Sequence, residues 1–336
     1  MQIFKIIDLF ENEKRYLIDY ANIKQGLIGY QKDFLGEKGI NKYFKHVSIG
    51  FPLVLPLGLK CFDYSDVKEI FKIDTKNVFS YIFKTKNLDY KPALRFLNHG
   101  NFFCVGAKPK KKYYNLIKFI ISHNKKLKKY ITDLQEKKMI VSAFQTRNIP
   151  HSGHEEIIKQ LLNKSNHVIV NPVIGPKKTG DINYNFLKKI YNFLINKKYK
   201  NKVSYFPVIA NMFYAGPREA MHHAIIRQNL GFDIFYIGRD HAGADFVYDS
   251  NLSVKTALKY RKNFRINLMI TNGAYYCKYC KEIVIKGWCK KNKVFCNLQN
   301  ISGTDFRKKI SKKKFFKFAD KNIQTYIHKL GKNIFV

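Results

Sequence analysis

The chain has 336 residues, 46% of them hydrophobic, enough to bury a large core divided into two or three domains. No apolar run approaches the roughly 18 residues that cross a bilayer. The N-terminal MQIFKIIDLFENEKR meets acidic residues before any signal-like cleavage site, so a cytoplasmic protein with no membrane partner is expected. A net charge of +38 points first to nucleic acid. The Lys residues are spread along the whole chain instead of gathering into one stretch, however, and a nucleic-acid partner is not expected.

Residues 1–138 lack a regular alternation of strands and helices and are read as a separate domain of mixed structure. The segment FPLVLPLGL at 51–59 is strand-like, with Pro52 and Pro56 restricting it to an edge or an interrupted strand. Residues 78–83 and 102–105 are further strand candidates. The basic stretches at 108–112 and 125–129 read as connecting surface. Cys61 and Cys104 read as buried free thiols.

From Met139 the pattern changes. Strands are predicted at 139–144, 167–173, 203–210 and 233–237, and helices at 154–163, 184–195 and 217–229. Phe186, Ile190, Phe193 and Leu194 give the second helix its apolar face. Pro217 suits the first turn of the third helix, and Gly231 follows its end. This alternation, over 139–272, predicts an α/β domain with a parallel sheet whose ligands bind at the carboxyl ends of the strands.

The densest chemistry lies at the first of those ends, in SAFQTRNIPHSGHEE at 142–156. A strand-to-helix junction is expected to leave backbone N–H groups open for a phosphate-like anion, and Gly153 is expected to let the backbone approach it. His151 and His154, three apart, share one face and can touch one group; the bland alternative is two solvated His near a cap. A second motif, GRDHAG at 238–243, follows the strand ending at Ile237. GPKKTGD at 175–181 and YAGPREA at 214–220 also follow predicted strands, so four polar loops on one sheet edge predict one pocket. Only nine of the 62 basic residues are Arg. Of these, Arg147, Arg218, Arg239 and Arg307 sit inside the motifs, where a planar guanidinium can grip an oxyanion bidentately as Lys cannot.

Residues 273–336 read as a small third unit. Cys277 and Cys280, then Cys289 and Cys296, fall within twenty residues, a spacing that favours tetrahedral zinc over disulfides in a cytosolic protein. In ISGTDFR at 301–307, Ser302 or Thr304 can cap a short helix with Arg307 one turn in. An ordinary capped surface helix is the competing reading. Residues 315–336 read as a terminal amphipathic helix.

Together QTRN, H-x-G-H, GPKKTGD, YAGPREA, GRDHAG and ISGTDFR, in this order, resemble the ATP sulfurylase (sulfate adenylyltransferase) family, in its short single-function form. The resemblance implies a nucleotidyltransferase-type sheet, a β-rich PUA-like domain before it and a zinc-knuckle and helical domain after it. It implies an enzyme that makes adenosine 5'-phosphosulfate and pyrophosphate from ATP and sulfate, or the reverse, with magnesium arriving on the ATP. Gln145, Arg147 and the backbone of Ala242 would hold sulfate. Gln145, Thr146, Arg147, Asn148, Gly238, Arg239, Asp240, His241 and Arg307 would bind ATP, and His151 and His154 would serve the leaving pyrophosphate. Thr146, Arg147, Asn148, His151 and His154 are thus the expected catalytic set, and a homodimer is the expected assembly. The sequence departs from the family after GRDHAG, where ADFVYDS replaces an aromatic Gly-Pro segment, and in the N-terminal third. A diverged adenylyltransferase with another small acid as acceptor, and a basic zinc-containing nucleic-acid-binding protein, are the alternatives. A focused Arg and His pocket would favour catalysis.

Overall fold

The computed structural model describes residues 15–29, 31–45, 49–83, 102–175, 182–239, 241, 248–285 and 297–331. The chain begins with helices α1 (Arg15–Lys24) and α2 (Glu37–Lys45), strands β1 (Leu55–Pro56), β2 (Phe62–Asp63) and β3 (Glu69–Lys72), and helix α3 (Thr75–Phe83). Strands β4 (Phe102–Val105) and β5 (Lys108–Pro109) follow. They form two antiparallel sheets, β1-β4-β3 and β2-β5. In the 51–59 segment only Leu55 and Pro56 pair, opposite Cys104 and Phe103. The expected strand at 78–83 is helical instead: apolar residues at 78, 79, 82 and 83 have helical spacing, which a short apolar run conceals.

The basic stretch at 125–129 is not a connection but part of a 23-residue helix, α4 (Tyr114–Glu136). Ile117, Ile120, Asn124, Leu127 and Ile131 are its buried face, and the Lys residues between them point outward. The elements that follow are β6 (Val141–Phe144), α5 (Ser152–Leu162), β7 (His167–Val170), β8 (Val173–Ile174), α6 (Tyr184–Lys198), β9 (Val203–Tyr205) and β10 (Val208–Ile209). Then come α7 (Pro217–Leu230), β11 (Ile234–Ile237), α8 (Leu252–Tyr260) and β12 (Asn267–Ile270). Helix α4 packs against α1, α7, β6 and β10, so it couples the N-terminal region to the sheet.

The expected strands at 167–173 and 203–210 are each broken in two. Pro172 and Pro207 lack the N–H that a continuing ladder needs, and beyond them β8 and β10 pair with each other in a separate two-stranded sheet. The remaining five strands form a parallel sheet in the order β12-β11-β6-β7-β9. The chain steps outward from β6 in one direction and then returns to β6's other side at β11. The order therefore reverses between β6 and β11, and an open α/β sheet binds ligands in the crevice beyond the strand ends at such a reversal.

Strand alternation places Val141, Ala143, Ile169, Phe235, Ile237 and Leu268 in one core with the N-terminal region and α7. Their neighbours Phe144, Val168, Val170, Ile234, Tyr236 and Met269 fall in a second core with α5 and α6. The C-terminal segment joins that second core. It contains a small sheet of β13 (Ala274–Cys277), β14 (Glu282–Ile285) and β15 (Leu298–Asn300), then α9 (Gly303–Ser311) and α10 (Lys321–Lys329). The terminal helix is thus shorter than 315–336, and residues 332–336 lie outside the described set. Among the described residues no helix is long and apolar enough to cross a membrane.

Candidate active site

Strand β6 ends at Phe144 and α5 starts at Ser152, so QTRN and the first His lie on the connection between them. His151 is the N-cap of α5, and its Nδ1 accepts the Gly153 N–H at 3.1 Å, which leaves the ring proton on Nε2. The His154 N–H goes to the His151 carbonyl at 2.8 Å, and the Ser152 N–H goes to the Phe318 carbonyl at 2.8 Å. The open backbone donors expected at this junction are therefore already used. Binding of an anion here falls to side chains, assisted by the dipole of the helix. Gly153 also has another reason than the one expected: a Cβ there would lie 3.0 Å from the His151 ring.

His151 and His154 are not a solvated pair. They are 7% and 9% exposed, and their rings stack at 3.8 Å with 18° between planes. Burial brings His154 from its ordinary 6.5 down to about 4, against an opposing hydrogen bond to the Ile149 backbone. Burial, and then the neighbouring His154, hold His151 well below its usual range. Both rings are neutral near pH 7 and carry one proton each, that of His151 on Nε2 and that of His154 directed to the Ile149 carbonyl.

Ten of the predicted residues line one cleft of about 600 Å³. Gln145, Thr146, Arg147, Asn148, His151 and His154 come from the end of β6 and the start of α5; Gly238, Arg239 and His241 come from the end of β11; Arg307 comes from α9. Asp240 and Ala242 lie outside the described residues, as do 176–181 of GPKKTGD. The adjoining Gly175 packs against the Ala210 carbonyl and is not among the residues lining the cleft.

The arginines are fixed from different sides. The Arg147 guanidinium lies 5.5 Å from the ring centre of Tyr214. Tyr214 itself has φ +55, a left-handed conformation rare for an aromatic residue, and this strain sits beside Arg147. Arg239 donates to Asn300 Oδ1 and lies 4.8 Å from the Tyr275 ring. Arg307 donates to Asn148 Oδ1 at 2.6 Å and to Thr304 at 3.2 Å, while Ser302 caps α9. Helix α9 is thus a capped helix that also reaches the QTRN loop through Arg307. Asn300, Ser302 and Thr304 close the cleft from the C-terminal segment, and no carboxylate is among its described lining residues.

Sequence reasoning missed a buried polar stripe on α7. Glu219, His223 and Arg227, four residues apart in turn, are each 0% exposed. His223 Nδ1 meets Gln145 Nε2 at 2.8 Å and His241 Nε2 at 3.2 Å, so the stripe touches both strand-end loops. Arg227 donates to the Asn171 side chain at 2.9 Å and to its carbonyl at 2.8 Å. Burial brings Arg227 down to about 9, partly offset by Glu219, which leaves it protonated at pH 7. Burial and the Arg227 charge hold His223 well below its usual range; burial, His223, Arg227 and Arg147 do the same for His241. The Glu-x3-His-x3-Arg spacing that starts at the Glu of YAGPRE was the available signal, in a helix whose polar and apolar residues are mixed all round.

Cys277 ends β13 and is buried; the Cys280 N–H reaches its sulfur at 3.4 Å across a tight turn. Cys289 and Cys296 lie outside the described residues. Among the described residues no group of three or more metal-binding side chains gathers. Cys61 and Cys104 are buried and form no disulfide, as expected.

A family model described as ATP-sulfurylase matches residues 120–316. A sulfate adenylyltransferase of Thermococcus onnurineus is 30% identical over 326 residues, covering 87% of this chain and 82% of that protein. One from Ignicoccus hospitalis is 41% identical over 174 residues, covering 51% of this chain and 44% of that one. Among solved structures, the hexameric APS kinase from Thiobacillus denitrificans superposes with a TM-score of 0.59 at 11% identity, over 95% of this chain and 62% of that chain. That likeness bears on the fold alone.

Proposed function

The chain belongs to the ATP-sulfurylase family, and we infer that it is a sulfate adenylyltransferase that converts ATP and sulfate to adenosine 5'-phosphosulfate and pyrophosphate. The observation that carries this reading is the convergence of QTRN, both His, Arg239, His241 and Arg307 on one cleft where the sheet order reverses. Sulfate is a dianion at neutral pH and needs no general base. Its oxygen attacks the α-phosphorus, the bond from that phosphorus to the bridging oxygen breaks, and pyrophosphate leaves with the electron pair. The obstacle is bringing two anions together, so the site must supply positive charge, alignment and stabilisation of the leaving group.

We assign Gln145, Arg147 and the Ala242 backbone to sulfate. Thr146 and Asn148 serve the ATP phosphates, with Arg307 reaching them through Asn148, and Gly238, Arg239, Asp240 and His241 line the nucleotide. His151 and His154 serve the pyrophosphate oxygens as charge develops there, His151 through its Nε2 proton. The absence of carboxylates among the described lining residues supports magnesium held mainly by the nucleotide's own phosphates and water. Sulfate- or molybdate-dependent pyrophosphate release from ATP by the purified protein tests the reading; no release with either anion refutes it.

The turn in which the Cys280 N–H meets the Cys277 sulfur fits half of a thiolate zinc site. We therefore assign a structural zinc to Cys277, Cys280, Cys289 and Cys296, where it would contribute folding stability. The first unit up to 138 has more helix than strand among its described residues, against the β-rich composition expected, and only its short antiparallel sheets support a PUA-like reading; the β14-β13-β15 sheet supports a knuckle unit from 273. A cytoplasmic homodimer completes the proposal.

A further inference from the structure

The buried stripe on α7 meets two cleft-lining side chains, Gln145 and His241, at His223 Nδ1. Behind it, the Glu219 carboxylate accepts the Phe213 N–H at 3.1 Å, and Glu219 Oε1 lies 3.0 Å from His223 Nε2 in an angled approach. No other described group is offered to Nε2. A carboxylate only accepts, so Nε2 holds the single proton of this neutral ring and Nδ1 presents its lone pair. Two groups face that lone pair, Gln145 Nε2 at 2.8 Å and His241 Nε2 at 3.2 Å, and both must donate to it.

This decides which way the Gln145 carboxamide is turned. With its NH2 toward His223, one N–H is held by Nδ1 and the second remains free for a ligand oxygen. Its Oε1 is buried with no partner among the described residues, which would ordinarily favour rotating the amide to find one. Rotation would set Oε1 against the Nδ1 lone pair, acceptor against acceptor, while the Glu219 carboxylate keeps the proton on the far side of the ring. The orientation is therefore set from α7 and not by the loop that carries Gln145.

We propose that His223, oriented by Glu219, is a positioning residue that fixes the Gln145 carboxamide with its NH2 group presented to the acceptor anion. The role rests on the sulfate adenylyltransferase reading and adds to it a residue that does not line the cleft.

Two near-isosteric variants separate this role from simple packing. His223→Asn places an amide oxygen near the Nδ1 position and can still accept from Gln145, whereas His223→Gln reaches toward Glu219 and loses that acceptor. Steady-state kinetics should show the sulfate KM rising about tenfold in H223Q and less than about threefold in H223N, at similar Tm. Combined with Gln145→Ala, H223Q should add no further rise, because the residue acts through that side chain. Equal effects of the two variants, additive effects in the double variant, or an unchanged sulfate KM in H223Q would overturn the proposal. Should the His223 variants be too unstable to purify, Glu219→Gln frees the ring tautomer and is expected to raise the sulfate KM by about threefold; an unchanged value would overturn it. Wild-type protein that releases no pyrophosphate with sulfate or molybdate refutes the activity itself, whereas an active wild type with failed variant predictions refutes only the positioning role.

Discussion

The two sides of the cleft are built on opposite principles. The floor, at the ends of β6 and β11, holds His151, His154 and His241 buried and neutral, the first two stacked and the third edge-on to His223, with positions set by the sheet and by α7. The lip, from the C-terminal segment, brings polar groups from Asn300 to Arg307 on a short capped helix, with Thr304 exposed and Arg307 half-buried. A buried neutral donor keeps a fixed direction and carries no ion-desolvation penalty, while a partly exposed guanidinium keeps its charge and can shift as ligand enters. The contrast suggests that the floor sets the geometry of the reaction and the lip governs nucleotide affinity.

Arg147, at the end of β6, is the cation assigned to the acceptor anion, so the largest effect is expected there. Arg147→Lys should lower turnover by on the order of 10²–10³-fold with Tm nearly unchanged, because a point charge reproduces neither a two-point grip on sulfate nor stacking on Tyr214. Activity within a few-fold of wild type would remove Arg147 from the acceptor site. For the imidazoles, His151→Ala or His154→Ala should cost about 10²-fold in kcat while the sulfate KM stays put, as expected for bonds strengthened in the transition state. A defect confined to the sulfate KM would move the pair to the acceptor side.

The floor was largely legible in the sequence. QTRN and the two His announced themselves as polar groups in a place where strand and helix patterns meet, and the sheet's alternation gave their position. Three other features were hidden for physical reasons. Pro172 and Pro207 divided two strands whose apolar runs read as continuous. The buried face of α4 was masked by the Lys residues interleaved with Ile117, Ile120, Leu127 and Ile131. His223 and Glu219 lay in a helix buried on all sides, where no polar face marks the positions that matter. The lip was half legible: Ser302 and Arg307 were visible as a capped turn, but Asn300 gains its meaning only when β15 brings it to Arg239.

The lip should respond differently from the floor. Arg307→Ala removes the partner of Asn148 and is expected to raise the ATP KM roughly tenfold, with kcat within about threefold, given the ordinary worth of a charged hydrogen bond. A collapse of kcat at unchanged ATP KM would place Arg307 with the floor and erase the distinction. Chelation of zinc should act on the same side, loosening the segment from 277 to 310 and raising the ATP KM before the sheet melts. Metal analysis that finds no zinc in protein purified under reducing conditions would refute that reading.

The smallest effect concerns how lip and floor are tied together. Asp320 caps α10 through the N–H groups of Asn322 and Ile323 and lies 2.9 Å from Lys198 of α6, which in turn lies 2.7 Å from Glu155 of α5. Desolvation raises the Asp320 pKa, but the Lys198 hydrogen bond and charge outweigh it and, with the capping N–H groups, bring the carboxyl from 3.8 to about 2. A carboxyl more acidic in the folded than in the unfolded chain stabilises the fold above its unfolded value. That contribution declines as pH falls from near 4 and is lost through about 2. Asp320→Asn keeps an N-cap oxygen and loses the ion pair, so it should cost no more than about 1 kcal/mol at pH 7. Urea midpoints measured in parallel from pH 7 to pH 2 should show the variant converging on wild type below pH 4. A gap that stays constant over that range would show the capping bond, and not the charge, to be what Asp320 contributes.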